Sequence, residues 1–314
     1  MQKESLRGWI SLVIVYIVWG STYLAIRIAV QPGAGFEPFT LVSIRLLFSG
    51  ALLFFVAFLS KQRIRIPRGE RLGVLLPGVF LWLGGNGLVT WAEKTVASGY
   101  AALMIATTII WVTVMEAVLD KKRLSFKITL ALLIGFAGLV FLNVTSLGEH
   151  SNVDLPGMIA LFFAPISWGI GTMIQKHRPT TLAPVVNSAY QQLIGGISVF
   201  AMRMILDEPP PTPTPAAWGA LAYLIIFGSV FAFTAFIIAV KSLPMRIVMT
   251  YAYVNPLVAL FLGWMILGEQ MTVWTFIGTV LIVVSVFGIY RTKSVQGNRS
   301  TPSNTTDGKK SIRS

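Results

Sequence analysis

Long apolar stretches separated by short charged or Pro/Gly-rich breaks run through almost the whole of this chain. They leave few solvents in which it can fold. The hydrocarbon core of a bilayer is about 30 Å thick and takes about 20 helical residues to cross. Cutting the sequence at its breaks gives ten such segments, approximately 9–30, 39–59, 72–92, 99–119, 125–144, 156–175, 182–205, 216–240, 247–267 and 271–290. Lipid offers the backbone no hydrogen bonds, so each segment is expected to be a helix, and the fold class is an all-α membrane protein. Composition agrees: 55% of the residues are hydrophobic and 12% charged, against roughly 25% charged in soluble domains. The stretch Trp9 to Val30 exceeds the roughly 7–15 apolar residues of a signal-peptide core and lacks a small-residue cleavage site, so it reads as the first membrane helix. The shortest breaks, Lys94 to Ser98 and Gly268 to Gln270, predict tight antiparallel hairpins.

The charge pattern tests this segmentation, because cytoplasmic loops collect Lys and Arg. With the N-terminus inside, the inner segments hold Lys3, Arg7, Lys61, Arg63, Arg65, Arg68, Arg71, Lys121, Lys122, Arg123, Lys127, Lys176, Arg178, Lys241, Arg246 and every basic residue from Arg291 onward, 21 of the 25. Acids collect outside: Glu37, Glu93, Glu149, Asp154, Asp207, Glu208 and Glu269. The formal charge of +13 is therefore a topology signal and not a nucleic-acid surface, and both termini are expected in the cytoplasm. There is no cysteine, and the two histidines, His150 and His177, fall in predicted loops. That leaves no thiolate, disulfide or histidine cluster from which to build a metal or cofactor site.

Two halves resemble each other. Val18-Trp19-Gly20 recurs as Ser167-Trp168-Gly169, and a shift of 147 residues lays Lys94 on Lys241, Ser125 on Thr272 and Gly138 on Ser285. Each half, 9–145 and 155–291, would hold an odd number of helices, so the second sits upside down relative to the first. Inverted repeats of this kind build many secondary transporters, with the site between the repeats near the midplane. Residues 292–314 are Ser-, Thr-, Asn-, Gly- and Lys-rich and read as a disordered tail.

Specific strings sharpen this. Trp19-Gly20-Ser21-Thr22-Tyr23, Gly85-Asn86-Gly87-Leu88-Val89-Thr90 with Glu93, Tyr251-Ala252-Tyr253-Val254-Asn255-Pro256 and Gly268-Glu269 resemble the EamA-type transporters of the drug/metabolite transporter superfamily. They are most similar to the YedA-like subgroup of bacterial inner-membrane permeases. The resemblance spans about residues 9 to 290 and implies two five-helix EamA repeats, a bacterial inner-membrane location, and export or exchange of a metabolite or drug-like solute. Plastid sugar-phosphate relatives carry basic residues deep in their second half, whereas helices 8, 9 and 10 here contain no Lys or Arg. A neutral, zwitterionic or cationic partner is expected instead, of the amino acid, nucleoside or amphipathic metabolite class.

Polar groups within the spans are the candidates for the work. A charge at the bilayer centre costs about 2.5–3.5 kcal/mol on insertion scales, and Arg45 lies about 6 Å from the middle of helix 2 at the 1.5 Å rise of an α-helix. It either snorkels or pairs with an acid such as Glu93, or it orients substrate or closes a gate. Arg27 reads as a snorkelling anchor. Glu93 and Glu116 are the acids available for gating or proton coupling, with structural pairing to nearby bases as the alternative for each. Asn86 among its glycines either packs helices closely or lines a cavity. Pro256 frees the Ala252 carbonyl and should kink helix 9, leaving polar backbone for Asn255, Tyr251 or a ligand. Trp19 and Trp168, equivalent in the two halves, are expected as opposite walls of one cavity, with Tyr23, Thr90, Trp111, Tyr190 and, more weakly, Tyr100 as further lining. An intramembrane enzyme would need a catalytic constellation that the spans do not supply; a passive channel for small solutes stays open as the alternative to a carrier.

Overall fold

The computed structural model describes residues 2–31, 33–92, 101, 104–121, 123–142, 155–267 and 272–291, and among these there are helices and turns and no strand. The helices are α1 (Gln2–Val30), α2 (Pro38–Leu59), α3 (Arg68–Ala92), α4 (Met104–Leu119), α5 (Phe126–Leu142), α6 (Leu155–His177), α7 (Pro184–Ile205), α8 (Pro215–Ser242), α9 (Tyr251–Leu267) and α10 (Val273–Arg291). Six of them, Leu6–Val30 within α1 together with α2, α3, α6, α8 and α10, are long and apolar enough to cross a membrane; α4 and α5 are apolar and shorter. α7 is long but carries Asn187, Ser188, Gln191 and Gln192, all buried. The expected hairpins at 94–98 and 268–270 and the tail from 292 lie outside the described residues.

Local chemistry sets the ends. Proline opens α2, α7 and α8 at a first-turn position, where its missing N–H has no helical partner to lose. α2 and α7 are each followed by a residue with positive φ, Lys61 (50°) and Asp207 (49°), a left-handed closure that returns orphan carbonyls to hydrogen bonding. The ninth helix begins later than the expected residue 247. A single turn, Met245–Val248, stops short of it, because the Thr250 hydroxyl donates to Ile247 O (2.6 Å) and competes with continued helix. His177, expected in a loop, is the last residue of α6.

The surface is apolar, and the largely apolar interior also holds polar side chains, in the manner of a membrane protein. Phe48, Phe58, Phe126 and Phe276 are exposed, while Ser49, Gln191, Gln192, Ser229 and Thr250 are fully buried. The packing repeats between the halves. α2 runs antiparallel to α7, from Arg203 Nε donating to Thr40 Oγ1 (2.8 Å) at one end to Phe54 on Tyr190 at the other. α5 runs antiparallel to α10, with Phe141 stacked on Trp274 and Ser285 Oγ donating to Ala131 O (2.6 Å). α1 is antiparallel to α8 through Ser21 and Tyr223 (2.6 Å) and parallel to α9 through Tyr16 and Thr250 (2.5 Å). α6 mirrors it, antiparallel to α3 through Ser167 Oγ donating to Phe80 O (2.8 Å) and parallel to α4 through Trp111 and Phe162.

A second repetition was not foreseen from sequence. α3 widens into a π-helix over Val79–Gly87, and α8, its counterpart, does so over Leu224–Phe231. π segments are rare and concentrate at functional sites. Their displaced carbonyls are available to side chains: Phe80 O takes Ser167, Gly228 O takes Trp19 Nε1 (3.0 Å), and Ser229 O takes Gln192 Nε2 (3.1 Å).

Candidate functional site

A cavity of about 90 Å³ lies between α1, α3, α4, α6 and α9, with Arg45 of α2 at its side. The two π segments bring its walls together. At Gly85 an added Cβ would stand 2.8 Å from Trp168 Cε3, so only glycine lets the indole of α6 lie this close to α3. On α8, Gly228 receives the Trp19 indole and Ser229 the guanidinium. Trp19, Tyr23, Arg45, Asn86, Thr90, Trp168, Tyr251 and Asn255, all named from the sequence, line this one cavity.

The aromatic arrangement differs from the expectation of two facing walls. Trp19 and Trp168 meet edge to face with centroids 5.6 Å apart, and Trp19 meets Tyr251 likewise at 5.1 Å. They form one continuous wall because Trp19 is bonded to Gly228 O on the π segment of α8 while Trp168 lies against Gly85 on that of α3, and the two indoles meet between them. Trp82 extends the wall, 6.1 Å from Trp168 and 4.8 Å from Phe233.

Arg45 is only 4% exposed. Its Nε donates to Ser229 Oγ (2.7 Å), and its Cζ stands 5.6 Å from the Trp82 ring centre, within range of a cation–π contact. Among the described residues no carboxylate lies within ion-pair distance of it. Burial on this scale excludes a snorkelled side chain. Charges in the interior of membrane helices are rare and costly.

The remaining candidates sort by position. Asn255 lines the cavity but spends its amide on structure: with the amide nitrogen turned to face them, it donates to Tyr251 O (3.1 Å) and Tyr16 O (3.2 Å), tying α9 to α1 just before Pro256. Trp111 packs on Phe162, and Tyr190 donates to Ile64 O (3.1 Å) and packs on Phe54; neither reaches the cavity. Glu116 lines a different crevice, of about 1050 Å³, with Asp120, Arg123, Lys127, Arg246 and Arg291. Glu93, Tyr100 and the Arg27 side chain lie outside the described residues. No cluster of three or more His, Asp or Glu side chains able to hold a metal occurs among the described residues.

Sequence reasoning passed over Trp82, Ser229, Thr22 and Thr108. A signal for two of them existed: the 147-residue shift lays Trp82 on Ser229, and Arg45 is held between them. Gln192 was also missed, although it joins three helices, accepting from Ser49 and donating to Ser188 Oγ (2.9 Å) and Ser229 O.

The sequence profile of the EamA-like transporter family matches residues 6–144 and again 155–291. The chain belongs to the EamA-like transporter family. Among its relatives, the "Uncharacterized inner membrane transporter YedA" of Escherichia coli (strain K12) is 31% identical over 279 residues, covering 87% of this chain and 88% of that protein. The "Uncharacterized transporter YoaV" of Bacillus subtilis (strain 168) is 22% identical over 279 residues, covering 88% and 94%. A solved structure described as "Crystal structure of protein" superposes with a TM-score of 0.75 over 92% of this chain and 96% of its own, at 20% identity, a likeness of fold. As an EamA-like protein the chain is a membrane transporter carrying two repeats, and the enzyme alternative falls away.

Proposed function

We propose that the protein is a secondary carrier of ten membrane helices in two inverted five-helix repeats, moving a small organic solute across the bacterial inner membrane by alternating access. Both termini face the cytoplasm and the repeats occupy 9–145 and 155–291. The antiparallel pairing of equivalent helices, α2 with α7 and α5 with α10, supports inversion, since a repeat turned upside down presents its copy of a helix in the opposite sense. The distribution of 21 basic residues supports the orientation.

The observation that carries the reading is the shared cavity. Residues from both halves enclose it, and the aromatic wall has an equivalent tryptophan from each. Alternating access works by rocking such halves against each other about a fixed site. The solute is a neutral, zwitterionic or cationic organic molecule with an apolar part; sugar phosphates are expected to bind poorly, because α8 before Lys241 in its last turn, α9, and α10 before its final residue Arg291 hold no Lys or Arg.

Reconstituted protein tests this through counterflow. A carrier accelerates entry of labelled solute when the same solute is preloaded on the opposite side, and the flux saturates. Linear, unaccelerated flux would assign the cavity to a passive pore. Repeating the assay with and without a pH gradient reads out proton coupling.

A further inference from the structure

We infer that the cavity selects a small zwitterion with a ring-sized apolar body, whose single carboxylate binds Arg45; this deepens the carrier reading and rests on it. Arg45 is buried, with its Nε occupied by Ser229. Among the described residues no acceptor takes its Nη donors, although a guanidinium offers five N–H groups in a planar fork matched to a carboxylate. The protein supplies the cation and leaves the counter-charge to the ligand. Arg45 is the only Lys or Arg lining the cavity among the described residues, so a monoanionic group is matched and a dianion leaves a buried negative charge.

Besides the indole N–H groups of Trp82 and Trp168, which have no partner among the described residues and can donate to the same carboxylate, four lining oxygens are arranged for the opposite task. Thr22 Oγ1 donates to Trp19 O (2.7 Å), Thr90 Oγ1 to Asn86 O (2.8 Å) and Thr108 Oγ1 to Ile105 O (2.5 Å). Each hydroxyl proton is committed to its own helix, so these oxygens can only accept from a ligand. Among the described residues nothing donates to the buried Asn86 Oδ1. One fixed cation and a set of neutral acceptors, set against indole and phenol faces, complement a molecule bearing one carboxylate, one ammonium and an aromatic or aliphatic remainder. A plain cation meets Arg45 as a like charge. A plain acid leaves the acceptors unfilled.

The test compares four probes in proteoliposomes of the full chain: phenylalanine, its methyl ester, phenylalaninamide and 3-phenylpropionate. Phenylalanine is expected to show saturable, trans-stimulated flux, with each of the others weaker by about tenfold to a hundredfold, the range for a hydrogen bond to a charged group. Arg45→Gln should bring the acid and ester within about twofold of each other, while Arg45→Lys keeps part of the preference. If Arg45→Gln does not fold, Ser229→Ala gives the same readout, since it retains the charge but frees Nε. It should lower the acid-to-ester ratio severalfold in a protein that still melts cooperatively, at a melting temperature lowered by the unpaired Nε. Equal flux of ester and acid in the unaltered protein, or an unchanged ratio in the folded variants, overturns the inference and leaves the carrier reading standing. Absence of saturable flux for all four overturns the inference, and the carrier reading is then decided separately by counterflow with nucleosides and amphipathic cations.

Discussion

Gly135 on α5 packs closely against α9 and α10. A Cβ there would overlap the Tyr253 ring and lie 2.5 Å from Ser285 Oγ. Neither neighbour is free to yield. Tyr253 is fully buried and its hydroxyl donates to Leu132 O (2.8 Å), while Ser285, also fully buried, donates to Ala131 O (2.6 Å). Overpacking a filled core costs about 1–3 kcal/mol, and each interhelical hydrogen bond disturbed adds about 0.6 kcal/mol in a membrane protein. Helix propensity returns at most about 1 kcal/mol, so Gly135→Ala should destabilise by about 1–3 kcal/mol. The matched control is Gly219→Ala on α8, where nothing lies within 4 Å of the added Cβ. There the propensity term stands alone and the variant should be neutral or more stable by up to about 1 kcal/mol. Thermal melting or SDS titration in detergent measures both. Adding Ser285→Ala to Gly135→Ala should recover part of the loss, a coupling expected only of neighbours. Equal stabilities for the two alanine variants would refute the packing argument.

Further outcomes follow from the ends and the site. Glu208 accepts from Phe39 N (3.0 Å), Thr40 N (2.7 Å) and Thr40 Oγ1 (2.8 Å) at the start of α2, so Glu208→Ala should cost about 1–2 kcal/mol through the lost capping and helix-dipole terms, read by melting temperature. Single cysteines introduced into this Cys-free chain should be labelled by an impermeant outside reagent near Pro211 and protected near Ser300; the reverse would overturn the topology. Trp111→Leu and Tyr190→Phe, both away from the cavity, should leave the apparent affinity for solute within about twofold, since neither removes a contact to it.

The elements were legible because lipid makes a simple demand: about 20 apolar residues per crossing, with Pro38, Pro184 and Pro215 marking where three of the helices begin. The cavity was largely legible too, since an arginine, an asparagine and paired tryptophans inside apolar runs have few other reasons to be there. What the sequence did not yield was rotation about each helix axis. Helices apolar on every face carry no amphipathic stripe, so Trp111 and Tyr190 could not be separated from Trp19 and Trp168. Trp82 carries no local mark that sets it apart from other membrane aromatics, because its place beside Arg45 is tertiary. The π segments left no trace because their cause is tertiary: side chains from α1, α6 and α7 claim the displaced carbonyls. Asn255 was read as a cavity amide, and its commitment to Tyr16 depends on how α1 meets α9, which no local pattern encodes.

In the proposed carrier, solute passes through the cavity bounded by Trp19, Arg45 and Trp168. Val89 lines it without contributing a polar contact, so Val89→Cys is expected to transport phenylalanine normally. The decisive measurement is that flux before and after the cysteine is capped with a bulky maleimide, alongside Gly69→Cys, an exposed position at the start of α3 with nothing within 4 Å. Capping at 89 should reduce flux at least about tenfold, saturating phenylalanine should slow the capping, and capping at 69 should change nothing, because a filled site excludes solute from the transport cycle. Full flux through protein capped at 89 would contradict the claim and move the pathway elsewhere.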